Sequence, residues 1–326
     1  MFSAEKAHVT RGGISSAVPS SALISFAASI TAVKLSRLQQ RGPPMRPIAS
    51  NARAVVMFAR PHVLPLSGVV PVIRLTDIFR QAERGMIVEN AHRINDGKQP
   101  DLFANADDFR FEEIIGAEQV IRRVIALCSG KTNKLMTTEP IKDAQVLVPM
   151  KKGALGAINL NARLQAALNP TSPYKKERKQ GEMILREGDK VMQIKNDYKI
   201  PWKRAKSGEE GTGIFNGDLG TIERINLSEQ EVTVLFDDER AAAYDYSMLD
   251  ELNLAYASTV HKSQGSEFDT VIMPVMQMPP MLMRRNLFYT AITRAKKLVI
   301  LVGRSEAVWQ MVSNDYDAKR YTSLES

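Results

Sequence analysis

The sequence predicts an α/β protein in which a parallel sheet, covered by helices on both faces, is interrupted by a small antiparallel β-barrel. Over most of the chain, short apolar runs alternate with amphipathic helical patterns, which is typical of such a sheet. After Gly181 the pattern changes to short strands separated by turn signals. Because the strand–helix alternation resumes behind that stretch, we interpret the barrel as an insertion.

The first part of the chain predicts strands and helices in close succession. Each strand is a short apolar or alternating run, and each helix carries apolar residues along one face. Gly97 and Pro100 end the first helix, and Asn169 followed by Pro170 ends the last one of this part. The predicted strands cover 69–75, 109–114 and 145–149, and the predicted helices cover 83–95, 118–128 and 157–168.

The second part contains the barrel and the return to alternation. Turn signals at 187–189, 216–218 and 237–238 separate strands predicted at 183–194, 219–225 and 232–236. Strands at this spacing predict a barrel of roughly sixty residues. Behind it we predict strands at 271–275 and 298–302, and helices at 285–295 and 305–312.

The charge of the chain is concentrated in one segment. The 326 residues include 44 Lys and Arg against 36 Asp and Glu, a formal net charge of +8. Residues 1–61 hold eight of those basic residues and one acid, so the rest of the chain is nearly neutral. Net charge is therefore poor evidence here for binding to nucleic acid. The basic segment is rich in Ser, Ala and Arg, and three interpretations stay open: a disordered tail, a targeting peptide, or non-homologous sequence.

Composition excludes several other classes. Cys128 is the single cysteine, so the chain has neither an internal disulfide nor a cysteine-based metal cluster. The four histidines show no spacing typical of metal ligands, and we predict no metal site. No stretch reaches the roughly 18 uninterrupted apolar residues of a membrane helix, so we expect a cytoplasmic protein, or an organellar one if residues 1–61 are a targeting peptide.

The most informative stretch is YASTVHKSQGSEFDTVIMPV, residues 256–275. Its hydroxyl groups, including that of Thr259, can donate to phosphate oxygens. Gly265 would allow close approach of the backbone to a ligand, and Glu267 offers an acceptor suited to a ribose hydroxyl. Taken by itself, the spacing of this stretch favours a polar turn before a strand over a ligand site.

Two other stretches carry cations at places where ligands bind. Arg294, with Lys296 and Lys297, follows the helical pattern of NLFYTAITRAKK, where it could complement the helix dipole or serve as an arginine finger. Arg80 and Gln81 lie between a predicted strand and a predicted helix, the usual position of ligand-facing residues in open α/β sheets.

One apparent phosphate-binding motif is a false match. Residues 129–132 read SGKT, like the end of a P-loop, but Ile125 stands where the full pattern needs glycine. This SGKT also follows a predicted helix, whereas a P-loop follows a strand. The chain contains no other GxxxxGK[ST] pattern and no acidic cluster suited to Mg²⁺ at the end of an apolar strand.

Taken together, five segments in the same order resemble the C-terminal half of RecD-like DNA helicases of superfamily 1. They cover roughly residues 62–312 and are more specific jointly than any one alone. The segments are RLTDIFRQA with NAHRIND (74–96), QVLVPMKKGALGAINLN (145–161), GDKVMQIKNDY with FNGDLGTI (188–222), YASTVHKSQGSEFDTVIMPV (256–275) and NLFYTAITRAKKLVILVG (286–303).

The resemblance implies a fold and a domain organisation. Such helicases have two RecA-like domains, with ATP and Mg²⁺ at their interface and single-stranded DNA running across both. Residues 62–181 and 247–326 would form the second RecA-like domain, of the P-loop NTPase type. Residues 182–246 would be its inserted Src-homology-like barrel, and residues 1–61 match no part of the family.

The resemblance also implies roles for individual residues. On the nucleotide side, Arg80 and Arg294 would act on the γ-phosphate, and Gln81, Gly265 and Glu267 would face the nucleotide. On the DNA side the predicted residues are Thr259, His261, Lys151 and Lys152.

The chain departs from the family in one important respect. The first RecA-like domain, with its P-loop and Mg²⁺-binding acids, would precede residue 62, and those motifs are not found in this sequence. We therefore expect the C-terminal motor half of an ATP-dependent 5′-to-3′ DNA helicase that is inactive alone. A separate P-loop domain or helicase subunit would be its partner. The alternative is a non-catalytic module that binds nucleic acid or docks to a partner, and that could complete an ATP site in trans.

Overall fold

The computed structural model describes residues 85–104, 106–130 and 143–315. The predicted strand at 69–75, the segment 1–61 and the candidate residues Arg80 and Gln81 lie outside this part of the chain. The helices are α1 (Met86–Asn95), α2 (Ala117–Cys128), α3 (Ala157–Leu168), α4 (Arg285–Ile292) and α5 (Ser305–Ser313).

Five strands form a parallel sheet in the order β1-β14-β13-β2-β12. Their bounds are β1 (Phe109–Glu113), β2 (Ala144–Val148), β12 (Ala257–Thr259), β13 (Phe268–Val275) and β14 (Ala295–Gly303). The central strands are almost continuously apolar because both faces of the sheet are covered. One hydrophobic cluster joins the sheet to α1, α4 and α5, and a second joins it to α2 and α3. The predicted parallel sheet with helices on both faces is thus confirmed.

A seven-stranded antiparallel sheet is inserted between α3 and β12, in the order β11-β5-β8-β9-β10-β6-β7, and it has its own hydrophobic core. A separate hairpin, β3 (Glu177–Gln180) with β4 (Met183–Arg186), precedes it. The other strands are β5 (Lys190–Gln193), β6 (Asp197–Arg204), β7 (Glu210–Ile214), β8 (Leu219–Asn226), β9 (Glu231–Phe236), β10 (Arg240–Asp245) and β11 (Leu252–Leu254). We call this part, from β3 to β11, the inserted domain; the prediction of an antiparallel insertion is confirmed.

Three predicted elements need correction. The single strand predicted at 183–194 is two strands, because the turn around Gly188, which has a φ of +87°, breaks it. The helix predicted at 285–295 ends at Ile292, and Ala295 already pairs with Phe268 as the first residue of β14. The strand predicted at 271–275 begins three residues earlier, at Phe268.

Buried polar side chains attach the inserted domain to the sheet. The carboxylate of Asp189, which is fully buried, accepts hydrogen bonds from Gln165 of α3, from Asn169 just after that helix, from the Tyr256 hydroxyl and from the Arg186 backbone. Burial raises the pKa of Asp189, although these hydrogen bonds act in the opposite direction.

Lys190, next in sequence, donates from Nζ to the Ala144 carbonyl at 3.1 Å, at the start of β2. Burial lowers the pKa of Lys190 to about 8. Burial likewise raises the pKa of the Cys128 thiol to about 12. Within the described residues, no helix combines the length and the apolar character needed to span a bilayer.

Candidate nucleic-acid interface and nucleotide-facing arginine

The carboxyl ends of β2 and β12 lie side by side. Thr259 pairs with Val148 in parallel register, and the Val260 N–H donates to the Val148 carbonyl at 3.0 Å. The chain segments that follow these two strands therefore begin at the same edge of the sheet. In open α/β sheets, this carboxyl edge is where ligands bind.

The loop after β2 presents two lysines to solvent. The loop closes onto the first turn of α3 through backbone bonds, from Ala157 to the Met150 carbonyl and from Ile158 to the Lys151 carbonyl, both 3.1 Å. The side chains of Lys151 and Lys152 are exposed. The loop therefore has a fixed path but leaves both ammonium groups accessible to an anion.

A third lysine lies close to this loop. Lys262 is half-buried, and its pKa is lowered by burial and, in addition, by the positive charge of Lys151. Because Thr259 pairs with Val148, and Lys262 and Lys151 each lie three residues beyond that pair, the two lysines lie at the same edge of the sheet. We call Lys151, Lys152, Thr259, His261 and Lys262 the carboxyl-edge cluster.

The segment 260–267 begins with a compact turn. Backbone N–H groups of Lys262 and Ser263 donate to the Thr259 carbonyl at 2.9 and 3.2 Å, and the buried Ser263 hydroxyl donates to the Val260 carbonyl at 2.8 Å. The Ser263 side chain is therefore occupied within the turn, whereas His261 is exposed.

The same segment runs to the opposite edge of the sheet. Ala257 and Ile272 both pair with Val146, so Phe268 lies about six strand positions, roughly 20 Å, nearer the amino edge than Thr259. There the Phe268 N–H donates to the Arg294 carbonyl at 2.9 Å. One short segment thus connects the carboxyl-edge cluster to Arg294.

Arg294 is half-buried in the turn between α4 and β14. Its Nε donates to the Thr290 carbonyl at 3.3 Å, and its Nη1 donates to the Ser266 carbonyl at 3.4 Å. Both bonds are long for a charged donor. The second bond brings the guanidinium group beside the stretch containing Gly265 and Glu267. We call Gly265, Glu267 and Arg294 the arginine end.

Gly265 has the backbone conformation expected for a ligand-facing glycine. Its φ is +93°, a value that disfavours any other residue, and a Cβ placed there would have no atom within 4 Å. The space beside Gly265 is therefore open, and both Gly265 and Glu267 are exposed. In the ranges 85–104, 106–130 and 143–315, no three His, Cys, Asp or Glu side chains are grouped so as to hold a metal ion.

The predicted site residues thus fall into two groups. Thr259, His261, Lys151 and Lys152 lie at the carboxyl edge, while the arginine end lies at the amino edge. Lys262 lies within the stretch 256–275, but the sequence predicts no role for it, because only the folded chain brings it to the same edge of the sheet as Lys151.

Asn161 was also missed, although it lies in the quoted segment 145–161. Its side chain donates to the Ala257 carbonyl at 2.9 Å and accepts from the Ala257 N–H at 2.8 Å, which fixes the start of β12. The signal in the sequence was an amide at helical spacing within the apolar face of α3, a face that also carries Gln165.

Comparison with known protein families gives matches in the inserted domain and in the sheet that follows it. Residues 160–236 match the model described as "ATP-dependent RecD-like DNA helicase SH3 domain". Residues 254–302 match the model described as "UvrD-like helicase C-terminal domain". The described part of the chain is therefore a helicase-type domain of superfamily 1 with an inserted SH3-like domain.

Individual relatives show to which family of superfamily 1 helicases the chain is similar. The chain is 34% identical over 265 residues to the ATP-dependent RecD2 DNA helicase of Deinococcus radiodurans, covering 80% of this chain and 33% of that protein. It is 26% identical over 199 residues to the RecBCD enzyme subunit RecD of Mycolicibacterium smegmatis, covering 61% of this chain and 31% of that one. The chain corresponds to a C-terminal part of RecD-like DNA helicases, so the predicted resemblance is confirmed. It spans about a third of the length of these relatives.

Among solved structures, the crystal structure of Pif1 helicase from Bacteroides in complex with ADP-AlF3 and ssDNA is similar to this chain. The two share 17% sequence identity at a TM-score of 0.43, over 76% of this chain and 55% of the other.

Proposed function

We propose that this chain is the C-terminal motor part of an ATP-dependent DNA helicase that moves 5′ to 3′ on single-stranded DNA. The observation that carries the proposal is the path of segment 260–267, which starts among the cations of the carboxyl edge and ends against Arg294. An ATP-driven translocase needs such a connection between the residues that bind DNA and the residue that acts on ATP.

On the DNA side, the carboxyl-edge cluster would hold the phosphate backbone. Lys151 and Lys152 are exposed on a loop of fixed path, and the Thr259 hydroxyl stands where the strand ends. Phosphate contacts from lysine and threonine position a protein on nucleic acid without reading its sequence, as translocation requires. This supports binding of single-stranded DNA through backbone contacts.

On the nucleotide side, the arginine end is compatible with ATP, since the space beside Gly265 is open and a guanidinium group lies next to it. Bound ATP with Mg²⁺ would supply the phosphoryl group that is transferred to water. Arg294, together with Arg80, would place positive charge where negative charge builds up on the γ-phosphate. Gln81, Gly265 and Glu267 would contact the nucleotide itself.

We further propose that the 326-residue chain does not turn over ATP by itself and requires a P-loop domain, from a partner subunit or another part of the same protein. The sequence contains no GxxxxGK[ST] pattern, since the match at 129–132 has Ile125 in place of the first glycine. We propose a cytoplasmic location for this helicase part, with an organelle as the alternative if residues 1–61 direct import.

Binding to single-stranded DNA at increasing salt tests the DNA half of the proposal. We expect the affinity of the purified chain to fall steeply with salt. The double variant Lys151→Ala, Lys152→Ala should lower the slope of log K against log salt by about 1.4, because each lost phosphate contact contributes about 0.7 on single strands. Lys206→Ala is the matched control, since Lys206 is 81% exposed and pairs with Glu239 within the inserted domain. Binding that is absent, or that is equally strong in both variants, would refute the proposal.

A further inference from the structure

An exposed aromatic pair lies on the inserted domain, outside the residues considered above. Tyr198 of β6 is 59% exposed, and Phe215, just after β7, is half-buried. Their rings stand edge to face, with centroids 5.5 Å apart and an angle of 74° between the planes. Phe215 thus supports the Tyr198 ring from one side while leaving much of it open to solvent.

The turn that carries Phe215 is fixed by hydrogen bonds. The Asp218 carboxylate accepts from the Phe215 N–H at 3.0 Å and from Arg240 Nη2 at 2.7 Å. Arg240, whose side chain is 6% exposed, also donates to the Gly213 carbonyl at 3.0 Å. Burial alone would lower the pKa of Arg240, but its bonds to Asp238 and Asp218 raise it, so the guanidinium group stays charged. The aromatic pair is therefore presented by a rigid support.

This turn lies close to segment 260–267. Gly217 has a φ of +94°, and a Cβ placed there would lie 3.7 Å from the Ser266 hydroxyl and 3.9 Å from the Lys262 carbonyl. The Gly217 N–H donates to the Gln193 carbonyl at 2.9 Å, which ties the turn to β5. Phe215 is thus two residues along the chain from a glycine that lies close to the backbone of Lys262.

Proteins that bind single-stranded nucleic acid combine cationic side chains with exposed aromatic rings. The cations neutralise phosphates, and the ring offers a face on which any base can stack, independent of sequence. We propose that Tyr198, supported by Phe215, forms a base-stacking platform for single-stranded DNA whose backbone is held by the carboxyl-edge cluster. This inference rests on the proposed binding of single-stranded DNA and adds a contact to the bases, which the lysines do not provide.

The test compares two oligonucleotides of about 15 nucleotides, an oligo(dT) and an abasic strand with the same phosphates, using the full chain and fluorescence anisotropy. The wild type should bind oligo(dT) more tightly than the abasic strand. Tyr198→Ala should weaken oligo(dT) binding about tenfold, with little change on the abasic strand and an unchanged salt slope. Phe215→Leu keeps an apolar side chain at the support and should give a smaller loss of the same kind.

Tyr174→Ala is the matched control, because Tyr174 is 95% exposed but lies in the connection between α3 and β3. It should bind both strands as the wild type does, and thermal unfolding should verify that each variant is folded. If the wild type binds both strands equally with a steep salt dependence, or if Tyr198→Ala has no effect, the platform is refuted while the proposed function stands. If the wild type binds neither strand, both proposals fall.

Discussion

The parallel sheet and the inserted domain bury different kinds of residue. Strand β2 is buried along its whole length, and the polar side chains buried around the sheet are neutral, such as Gln145 and Asn161. In the described ranges, four charged side chains are buried, and all lie in the inserted domain: Arg186, Asp189, Lys190 and Arg240. The sheet is thus held mainly by apolar burial, and the inserted domain is held in addition by directional contacts between charged groups.

This difference indicates which part of the molecule tolerates single substitutions and changes of pH. Apolar packing depends on volume and is largely indifferent to pH. A buried charge is stable only while its partners are in place, and removing one partner leaves the other uncompensated. We therefore expect the junction of the two parts, and the turn that carries Phe215, to be more sensitive to single polar changes and to pH than the sheet.

The largest effect should come from Arg240→Met. Methionine retains bulk but leaves Asp218 and the Gly213 carbonyl without their buried donor. The free energy of unfolding should fall by about 4 kcal/mol, measured by chemical denaturation. The control Lys206→Met removes an exposed pair and should change it by less than about 0.5 kcal/mol. Equal, small effects of both variants would contradict the role of the buried pair.

A change in the sheet should have a slightly smaller effect and no dependence on pH. Ile300 is fully buried in β14, and Ile300→Ala would leave a cavity. We expect a loss of about 3 kcal/mol, of the same size at pH 6 and at pH 9. If the loss in free energy of unfolding changed strongly between these two pH values, the sheet would not differ from the inserted domain in its sensitivity to pH.

Asp189→Asn should destabilise the junction by about 2 kcal/mol. Asparagine has one acceptor oxygen where the carboxylate has two, and its amide would face donors from Gln165 or Asn169. Tyr256→Phe removes only one of the four donors and should have about half that effect. Denaturation of both variants at pH 7 gives the comparison; equal stability of Asp189→Asn and the wild type would show that the network is dispensable.

The smallest effect concerns the pH dependence contributed by Lys190. The unfolded chain keeps this proton up to about pH 10.5, whereas the folded chain releases it near pH 8. In that window the unfolded state holds more protons, so the free energy of unfolding rises with pH. We expect a rise of about 1 kcal/mol between pH 7 and pH 9 in the wild type relative to Lys190→Met. A difference of zero, or of opposite sign, would contradict a charged, buried Lys190 at neutral pH.

The sequence predicted the sheet better than the inserted domain. Buried parallel strands such as β2 and β14 are uninterrupted apolar runs, which stand out in a sequence. Strand β6, DYKIPWKR, buries only Ile200 and contains a proline, so its pattern is weak. The end of α4 was misjudged because TAITRAKK continues a helical pattern, while pairing with β13 draws Ala295 into a strand.

The site could be predicted only in part, for a related reason. Residues close in sequence, such as Thr259 and His261, were found from the resemblance to a family. The approach of Lys151 to Lys262, and of Gly217 to Ser266, depends on tertiary packing that no local pattern contains. The separation of the carboxyl-edge cluster from the arginine end likewise follows from strand register, which sequence spacing does not reveal.

We propose above all that Arg294 completes an ATP site whose turnover depends on DNA held at the other edge of the sheet. The direct measurement is ATP hydrolysis by the purified chain, alone and mixed with a separate P-loop domain of a RecD-like helicase, with and without single-stranded DNA. We predict no turnover by the chain alone, turnover in the mixture that requires DNA, and a loss of about 10³-fold with Arg294→Ala. DNA-stimulated hydrolysis by the chain alone, or a mixture as active with Arg294→Ala as with the wild type, would contradict this role of Arg294.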